Sequence, residues 1–539
     1  MKIKIPFLLL GACIISAFSG YAQTLTQTNL PILVITSPGA IGTSQMQANM
    51  KIINNMAGLN HPADAPQFQG IIGIRERGSA SNPKKSYAVE TWVASNGLSL
   101  DTSLLGMPSE NDWVLLSSYT DRSLMRDLIG FHLFEQTGSW APRMKLVEVI
   151  LNNSYQGVYL FGEKIKKDVN RLDIASLQIA DNSGQELTGG YILKIDNSTD
   201  GYWTSQFTPP FASSTQTIDF HYEEPEDGVI TPVQQAYIKA WVDSFEAALN
   251  GPNFQDTSFG WRKFGAENSL EYYMMFSEVM KSSDAYRQAT YLYKDKNKKL
   301  RVGPPWDLDN ALYNNTDCGA ANDTGWAYNA ALSCPTKDYL PPFWWRKLTL
   351  DTAFMSEMKC RYTFLRNTAL DTNDIFHFID SINTYLNAEG AQTRNFQKWP
   401  IWGTALGDEP TPISANYNEE VSKIKGFLSR RITYLDAQWL TPGCVLAVPD
   451  VENLISGLSV YPNPVTDLLQ VKFSLQQGAE VSMVLTDMYG RTVASKEMKH
   501  LGSGMHSVEF NTSQLVKGVY FLSATTGNSG KISTRVVKY

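Results

Sequence analysis

Two rhythms divide this chain. From residue 31 to about residue 195, apolar positions come in short runs separated by glycine, asparagine and proline. Pro31 to Thr36, Gly70 to Arg75, Ser86 to Thr91 and Trp113 to Ser117 read as strands. One helix interrupts them: Ser123 to Gln136 carries apolar residues at 124, 125, 128, 129, 131, 133 and 134, beginning after Asp121 and stopping near Gly138. Leu146 to Leu151 and Gly157 to Phe161 predict a hairpin turning at Asn152-Asn153, and Gly190 to Ile195 predicts a further strand. Later the period lengthens to 3.6 residues. Pro232 to Leu249, Ser269 to Lys281, Phe343 to Arg366, Asp374 to Leu386 and Tyr417 to Trp439 predict helices, and Ala289 to Lys294 and Leu300 to Val302 predict a strand pair between them. From Pro442 the texture turns rich in Gly, Ser and Thr. Residues 442–457 read as a linker and residues 458–539 as a small all-β sandwich. The expected class is therefore α+β, with a body over residues 23–441 followed by a β module.

The first residues point to export. Lys2 and Lys4 precede an apolar run from Ile5 to Phe18, and Gly20-Tyr21-Ala22 offers a small-x-small cleavage site, so residues 1–22 read as a secretory signal peptide. Leu10-Gly11-Ala12-Cys13 offers a lipoprotein box as the alternative. No later stretch is long and apolar enough to span a bilayer. Cys318, Cys334, Cys360 and Cys444 remain after the signal, an even count that suggests two disulfides in an exported chain. Cys318–Cys334 and Cys360–Cys444 is the favoured pairing; four buried thiols is the alternative. A formal net charge of −7 argues against nucleic acid as a partner. Six histidines and no paired cysteine spacing argue against zinc. Aromatic content of 12% is compatible with a carbohydrate-directed surface protein and decides nothing alone.

Three segments carry candidate chemistry. In the first, Asp284 follows a predicted helix, and Trp306-Asp307-Leu308-Asp309 follows the strand pair, so the hairpin brings Asp284 and Asp307 to one end of a small sheet. Phosphoryl transfer needs one carboxylate to orient an acceptor hydroxyl and others to hold Mg²⁺. Glycoside hydrolysis uses a similar pair, and Asp307 with Asp309 is compatible with a shared Ca²⁺ site. The bland alternative is a surface turn with capping aspartates. The second segment is Arg75 to Tyr87, where Arg77, Gly78, Ser79, Lys84 and Lys85 form a turn suited to polyphosphate or merely a solvated basic loop. The third is Gly157 to Ile165, ending in Glu163-Lys164.

Taken together, these segments resemble a known family. Arg75 to Tyr87, Asn111 to Leu116, Tyr119 to Arg126, Tyr155 to Ile165, Gly189 to Asp196 and Gly303 to Asp309 follow, in order, the pattern of the CotH family of atypical protein kinases, across most of residues 30 to 440. The resemblance implies a two-lobed kinase-like domain that uses ATP and Mg²⁺ to phosphorylate protein Ser or Thr. It assigns Asp284 as the catalytic aspartate and Asp307 as the metal-binding one. Arg77 to Ser81 would be the phosphate loop, with Lys84 or Lys85 the phosphate-contacting cation and Glu163 its carboxylate partner. Gln288, Ala289 and Thr290 stand where a kinase usually places a second metal-binding Asn. The family also includes surface adhesins, so a catalytically inactive binding protein is the alternative.

The tail resembles the C-terminal sorting domain of the type IX secretion system. The carrying residues are Val460-Tyr461-Pro462-Asn463-Pro464, Tyr489-Gly490-Arg491 and Lys517 to Leu522. That resemblance implies passage through the periplasm, the type IX machinery as a partner, and a secreted or cell-surface destination.

Overall fold

The computed structural model describes residues 25–55, 58–78, 81–95, 97–197, 201–210, 216–337, 340–444, 455–475, 478–488, 490–502, 504–526 and 529–539. The expected signal peptide, Ser79, Tyr489 and residues 445–454 of the expected linker lie outside them.

Seven strands close into a barrel: β1 (Ile32–Thr36), β2 (Met46–Ile53), β3 (Phe68–Arg77), β4 (Ser86–Trp92), β5 (Asp112–Leu116), β6 (Met144–Leu151) and β7 (Ser154–Glu163). Their order is β1-β2-β3-β4-β5-β7-β6, and a parallel pairing of β1 with β6 closes the ring. Alternate residues such as Met50, Ile72, Val89 and Val147 fill the interior. The hairpin of β6 and β7 turns where expected, with Asn152 and Asn153 both at positive φ, as a two-residue turn between right-twisted strands requires. Strand β2 was not expected. Its interspersed Gln, Asn and Lys obscure the alternation that buries Ala48, Met50 and Ile52.

Helix α1 (Arg126–Glu135) crosses from the barrel to the rest of the body. It starts three residues later than expected because the Asp121 carboxylate accepts the N–H groups of Ser123, Met125 and Arg126, which folds residues 121–125 into a turn.

A second sheet follows, in the order β12-β11-β8-β10-β9. Its strands are β8 (Tyr191–Ile195), β9 (Tyr202–Thr204), β10 (Asp219–Glu224), β11 (Thr290–Lys294) and β12 (Arg301–Val302). Around it pack α2 (Pro232–Asn250), α3 (Glu267–Met280), α4 (Ala330–Ser333) and α5 (Phe343–Leu348). Then come α6 (Thr352–Arg366), α7 (Thr372–Asn387), α8 (Ala391–Lys398) and α9 (Tyr417–Trp439). Thr231 and Gln234 form a reciprocal capping box at α2, with Pro232 in the first turn. The helix expected over 343–366 is two helices, because Asp351 leaves the helical path and caps α6 through the N–H groups of Ala353 and Phe354. Buried Trp261, Trp344, Trp345 and Phe354 lie in a core continuous with α1.

The disulfides are Cys318–Cys334 and Cys360–Cys444, with Cα separations of 5.1 and 5.6 Å, the pairing favoured from sequence. The tail is the expected all-β module. Strands β13 (Ile455–Tyr461), β14 (Leu468–Leu475) and β17 (Gly504–Asn511) form one sheet. Strands β15 (Ala479–Asp487), β16 (Thr492–Leu501), β18 (Gly518–Thr526) and β19 (Ser529–Lys538) form the other. Val471, Phe473, Leu485 and Leu522 belong to the core they share. No helix among the described residues is long and apolar enough to cross a membrane.

Candidate active site

Three segments distant in sequence deliver carboxylates to one place. The first is the end of α3, where Lys281 takes the left-handed conformation and the chain turns to present Asp284. The Asn310 side-chain amide donates to its carboxylate at 2.7 Å, and Asn315 donates in turn to the Asn310 carbonyl oxygen at 3.3 Å. Arg287 lies 3.7 Å from Asp284 and 3.0 Å from Asp317, which also pairs with Lys337 at 3.1 Å. Burial pushes the Asp284 carboxyl above its ordinary range, Arg287 and Asn310 oppose that, and the charges of Asp317 and Asp196 add to it.

The second segment is the loop after β12. Asp307 sits there at φ +59°, a conformation uncommon for a residue with a Cβ and one that gathers at functional sites. Solvent reaches its side chain, although neighbouring protein crowds the carboxyl. Burial pushes it well up, and Asp309, Asp127 and Asp284 push further, with Arg77 opposing. Asp309 accepts a short hydrogen bond from the Thr120 hydroxyl and is also raised, by burial first and then by Asp284 and Asp121.

The third segment is the first turn of α1. Asp127 is buried and accepts the Leu308 N–H at 2.9 Å. Burial, followed by the charge of Asp309, brings it to about 7. Opposite these acids, Arg77 at the end of β3 lies over the Trp306 ring at 5.3 Å and faces Asp307 electrostatically. Near Arg77, the Tyr291 hydroxyl on β11 lies in the field of Glu223 and Lys194, and Lys194 pairs with Glu223 at 2.8 Å and with Asp196 at 3.0 Å.

A cluster of acids that raise one another, with an arginine at its edge, is a site with a surplus of oxygen donors and of negative charge. Among the described residues, no three His, Cys, Asp or Glu side chains converge closely enough to cage a metal ion unaided. Mg²⁺ does not require such a cage, since it commonly uses one or two carboxylates together with substrate phosphates. The donor set fits that mode.

Comparison with known proteins bears on this arrangement. A family profile described as CotH kinase protein matches residues 72–435, a span that contains every segment just described. The chain belongs to the CotH family. A second profile, described as a secretion system C-terminal sorting domain, matches residues 459–539. This CotH-family protein is thus a secreted or cell-surface protein that engages the type IX secretion machinery. No curated protein matches it. Among solved structures, a Pseudomonas fluorescens alkylpurine DNA glycosylase AlkC bound to DNA matches at 13% identity. That match covers 41% of this chain and 69% of the other, and its TM-score of 0.14 carries no argument about fold or function.

Within the CotH domain, the residues singled out from sequence do not all meet. Asp284, Asp307 and Arg77 converge. Gly78 follows β3 at φ +74°, a turn that favours glycine, and Ser79 lies outside the described residues. Lys84 is elsewhere. It is buried over the Tyr159 ring, donates to the Val158 carbonyl and, at 3.0 Å, to Asn395 on α8, and burial without a counter-charge holds it well below its ordinary range. Lys85 beside it is half-buried. Glu163 faces arginines where a lysine was expected: Arg143 at 2.6 Å and Arg171 at 3.8 Å. Asp127 and Asn310 were not singled out. No local spacing marks them, because each meets its partner across a long stretch of chain.

Proposed function

We propose that this protein is a secreted atypical protein kinase that transfers the γ-phosphoryl group of ATP to a protein Ser or Thr hydroxyl. Its domains would be a signal peptide over 1–22, a two-lobed kinase-like domain over 23–441, a linker over 442–457 and a sorting domain over 458–539. The barrel would serve as one lobe, and the second sheet with its helices as the other. Export would run through the periplasm. The observation that carries the reading is the convergence of Asp284, Asp307 and Asp309 opposite Arg77 within a matched CotH domain.

In this reading Asp284 accepts a hydrogen bond from the acceptor hydroxyl and takes its proton. The raised pKa of Asp284 suits a base that must also be able to hold the proton. Asn310 occupies one carboxylate oxygen and leaves the other, 3.7 Å from Arg287, to meet the acceptor hydroxyl. Asp307, with Asp309 beside it, would hold Mg²⁺, which supplies positive charge to the phosphate oxygens when bound. Arg77 binds phosphate from the barrel side, with Gly78 turning the chain directly after it. Lys84, spent between β7 and α8, braces the barrel against the helices, and Lys85 remains the lysine of the pair assigned to phosphate.

The test is calorimetric titration of the full chain with ATP, with and without Mg²⁺, paired with a phosphotransfer assay. Metal-dependent binding that is lost in Asp307→Ala, and transfer that is lost in Asp284→Ala with binding retained, are the expected results. Absence of nucleotide binding under both conditions would reject the kinase reading in favour of a binding role at the cell surface.

A further inference from the structure

The run Tyr119 to Arg126 belongs to the family pattern, yet no chemical role falls to it, or to Asp127 after it, in the mechanism above. The structure gives it a mechanical one. The segment Thr120–Phe131 grips the loop 306–314 along its whole length. The Thr120 hydroxyl donates to Asp309, and the Thr120 carbonyl accepts from the Asn314 amide at 3.0 Å. The Arg126 guanidinium donates to the carbonyls of Ala311 at 2.9 Å and Leu312 at 3.3 Å, while Asp121 and Glu420 hold it from behind. Asp127 takes the Leu308 N–H at 2.9 Å. One turn on, Gly130 leaves room for the Leu308 side chain: a Cβ there would lie 2.2 Å from Leu308 Cδ1. Phe131, beside it, packs on Trp306 with ring centroids 6.1 Å apart. Asp127, Gly130 and Phe131 are spaced i, i+3 and i+4, so they share one face of α1.

We infer that this segment is the positioning clamp of the metal-binding loop, with Asp127 and Gly130 as positioning residues that set where Asp307 and Asp309 point. A left-handed Asp307 persists only where its surroundings over-determine it, and these contacts supply that constraint from both sides of the residue. The inference rests on the proposed role of Asp307 for its functional consequence and on geometry alone for the clamp itself.

The experiment has two readouts on the full chain. Hydrogen–deuterium exchange of peptides covering residues 303–314 reports the clamp without any ligand. Asp127→Leu removes the acceptor and is expected to speed exchange in that loop, whereas Asp127→Asn keeps a side-chain oxygen and is expected to leave it slow. Gly130→Ala is expected to speed exchange, and adding Leu308→Val, which removes the opposing Cδ atoms, is expected to slow it again. Exchange in Asp127→Leu and Gly130→Ala equal to wild type would overturn the clamp. So would Gly130→Ala damage that Leu308→Val leaves unrelieved. The second readout is Mg²⁺-dependent ATP affinity, expected to fall about tenfold in Gly130→Ala and to return to within about threefold of wild type in the double variant. If the wild type binds no Mg²⁺-ATP, the kinase reading fails while the exchange data still decide the clamp. If the wild type binds and Gly130→Ala binds equally well, the kinase reading stands and the positioning role fails.

Discussion

Replacing Arg77 by alanine removes the cation that faces Asp307 from the end of β3. A hydrogen bond between ionised partners contributes about 1.5–3 kcal/mol, and phosphate bound by arginine belongs to that class. Two further effects act in the same direction. The guanidinium stacks on Trp306 at 5.3 Å, a contact of about 0.5–1 kcal/mol that holds it ready before nucleotide arrives. It also opposes the combined push of Asp309, Asp127 and Asp284 on Asp307, so its loss raises Asp307 further and weakens the ionised form that Mg²⁺ requires. Taking about 2 kcal/mol as the sum, after the competing solvation of an open cleft, ATP affinity falls about 30-fold. Arg77→Lys keeps the charge without the planar stack, and its loss is expected near threefold, roughly 0.6 kcal/mol. Titration calorimetry at fixed free Mg²⁺ measures both variants, with the thermal melt as a check on folding. An Arg77→Ala affinity within twofold of wild type, in a protein that melts normally, would refute the assignment of phosphate to Arg77.

Three other perturbations have calculable outcomes. Arg431 and Glu278 are both fully buried and 2.8 Å apart, so Arg431→Met strands a buried carboxylate and is expected to cost about 3–5 kcal/mol in denaturant unfolding; adding Glu278→Gln should recover part of it. Recovery of nothing would show that the lost contacts to the Asp323 and Gly325 carbonyls matter more than the stranded charge. Glu246 is buried and raised from 4.5 to about 7, chiefly by burial, against hydrogen bonds from Ser205 and Trp344. The folded state keeps a proton that the unfolded state has lost between these values, so stability falls as pH rises through that window, by about 3 kcal/mol in total. Glu246→Gln should flatten the dependence of unfolding free energy on pH between 4.5 and about 7, and an unchanged slope would contradict the linkage. Reducing both disulfides frees loops of 84 and 16 residues, and by chain entropy the longer bridge is the greater loss, about 4.5 kcal/mol against about 3. Single Cys→Ser pairs read by denaturant unfolding should rank in that order.

What the sequence made legible follows the range of the interactions involved. The Asn152-Asn153 hairpin and the helix Tyr417–Trp439 appear where expected, because a turn with two left-handed residues and a long apolar stripe are both local signals. The break at Asp351 was missed because the apolar period runs on across it. Only the Arg262 and Trp261 side chains, which also donate to Asp351, show why that residue is a corner. At the site, Asp284 and Asp307 stand out as aspartates flanking a predicted hairpin. Asp127 does not, since it meets Leu308 across 181 residues, and a carboxylate inside an apolar helical stripe reads as an ordinary first-turn acid. The place of Lys84 was hidden for the opposite reason. Lys84 and Lys85 look alike in sequence, but neighbouring side chains next to a strand point to opposite faces, and Lys84 points inward.

Cys444 is the last described residue before the chain leaves for the tail, and its bridge to Cys360 has a consequence for load. Along the covalent chain, tension applied through the tail enters the body at residue 444. Without the bridge, that tension would pass along the chain to the end of α9 and peel its last turn, where Trp439 is buried, away from the core. The covalent link diverts the pull into the middle of α6, where it acts across the packed helix instead of along an unravelling end. The body can therefore be drawn by its tail, or held by it at a surface, without the helix that supplies Glu420 and Arg431 being unwound from its end.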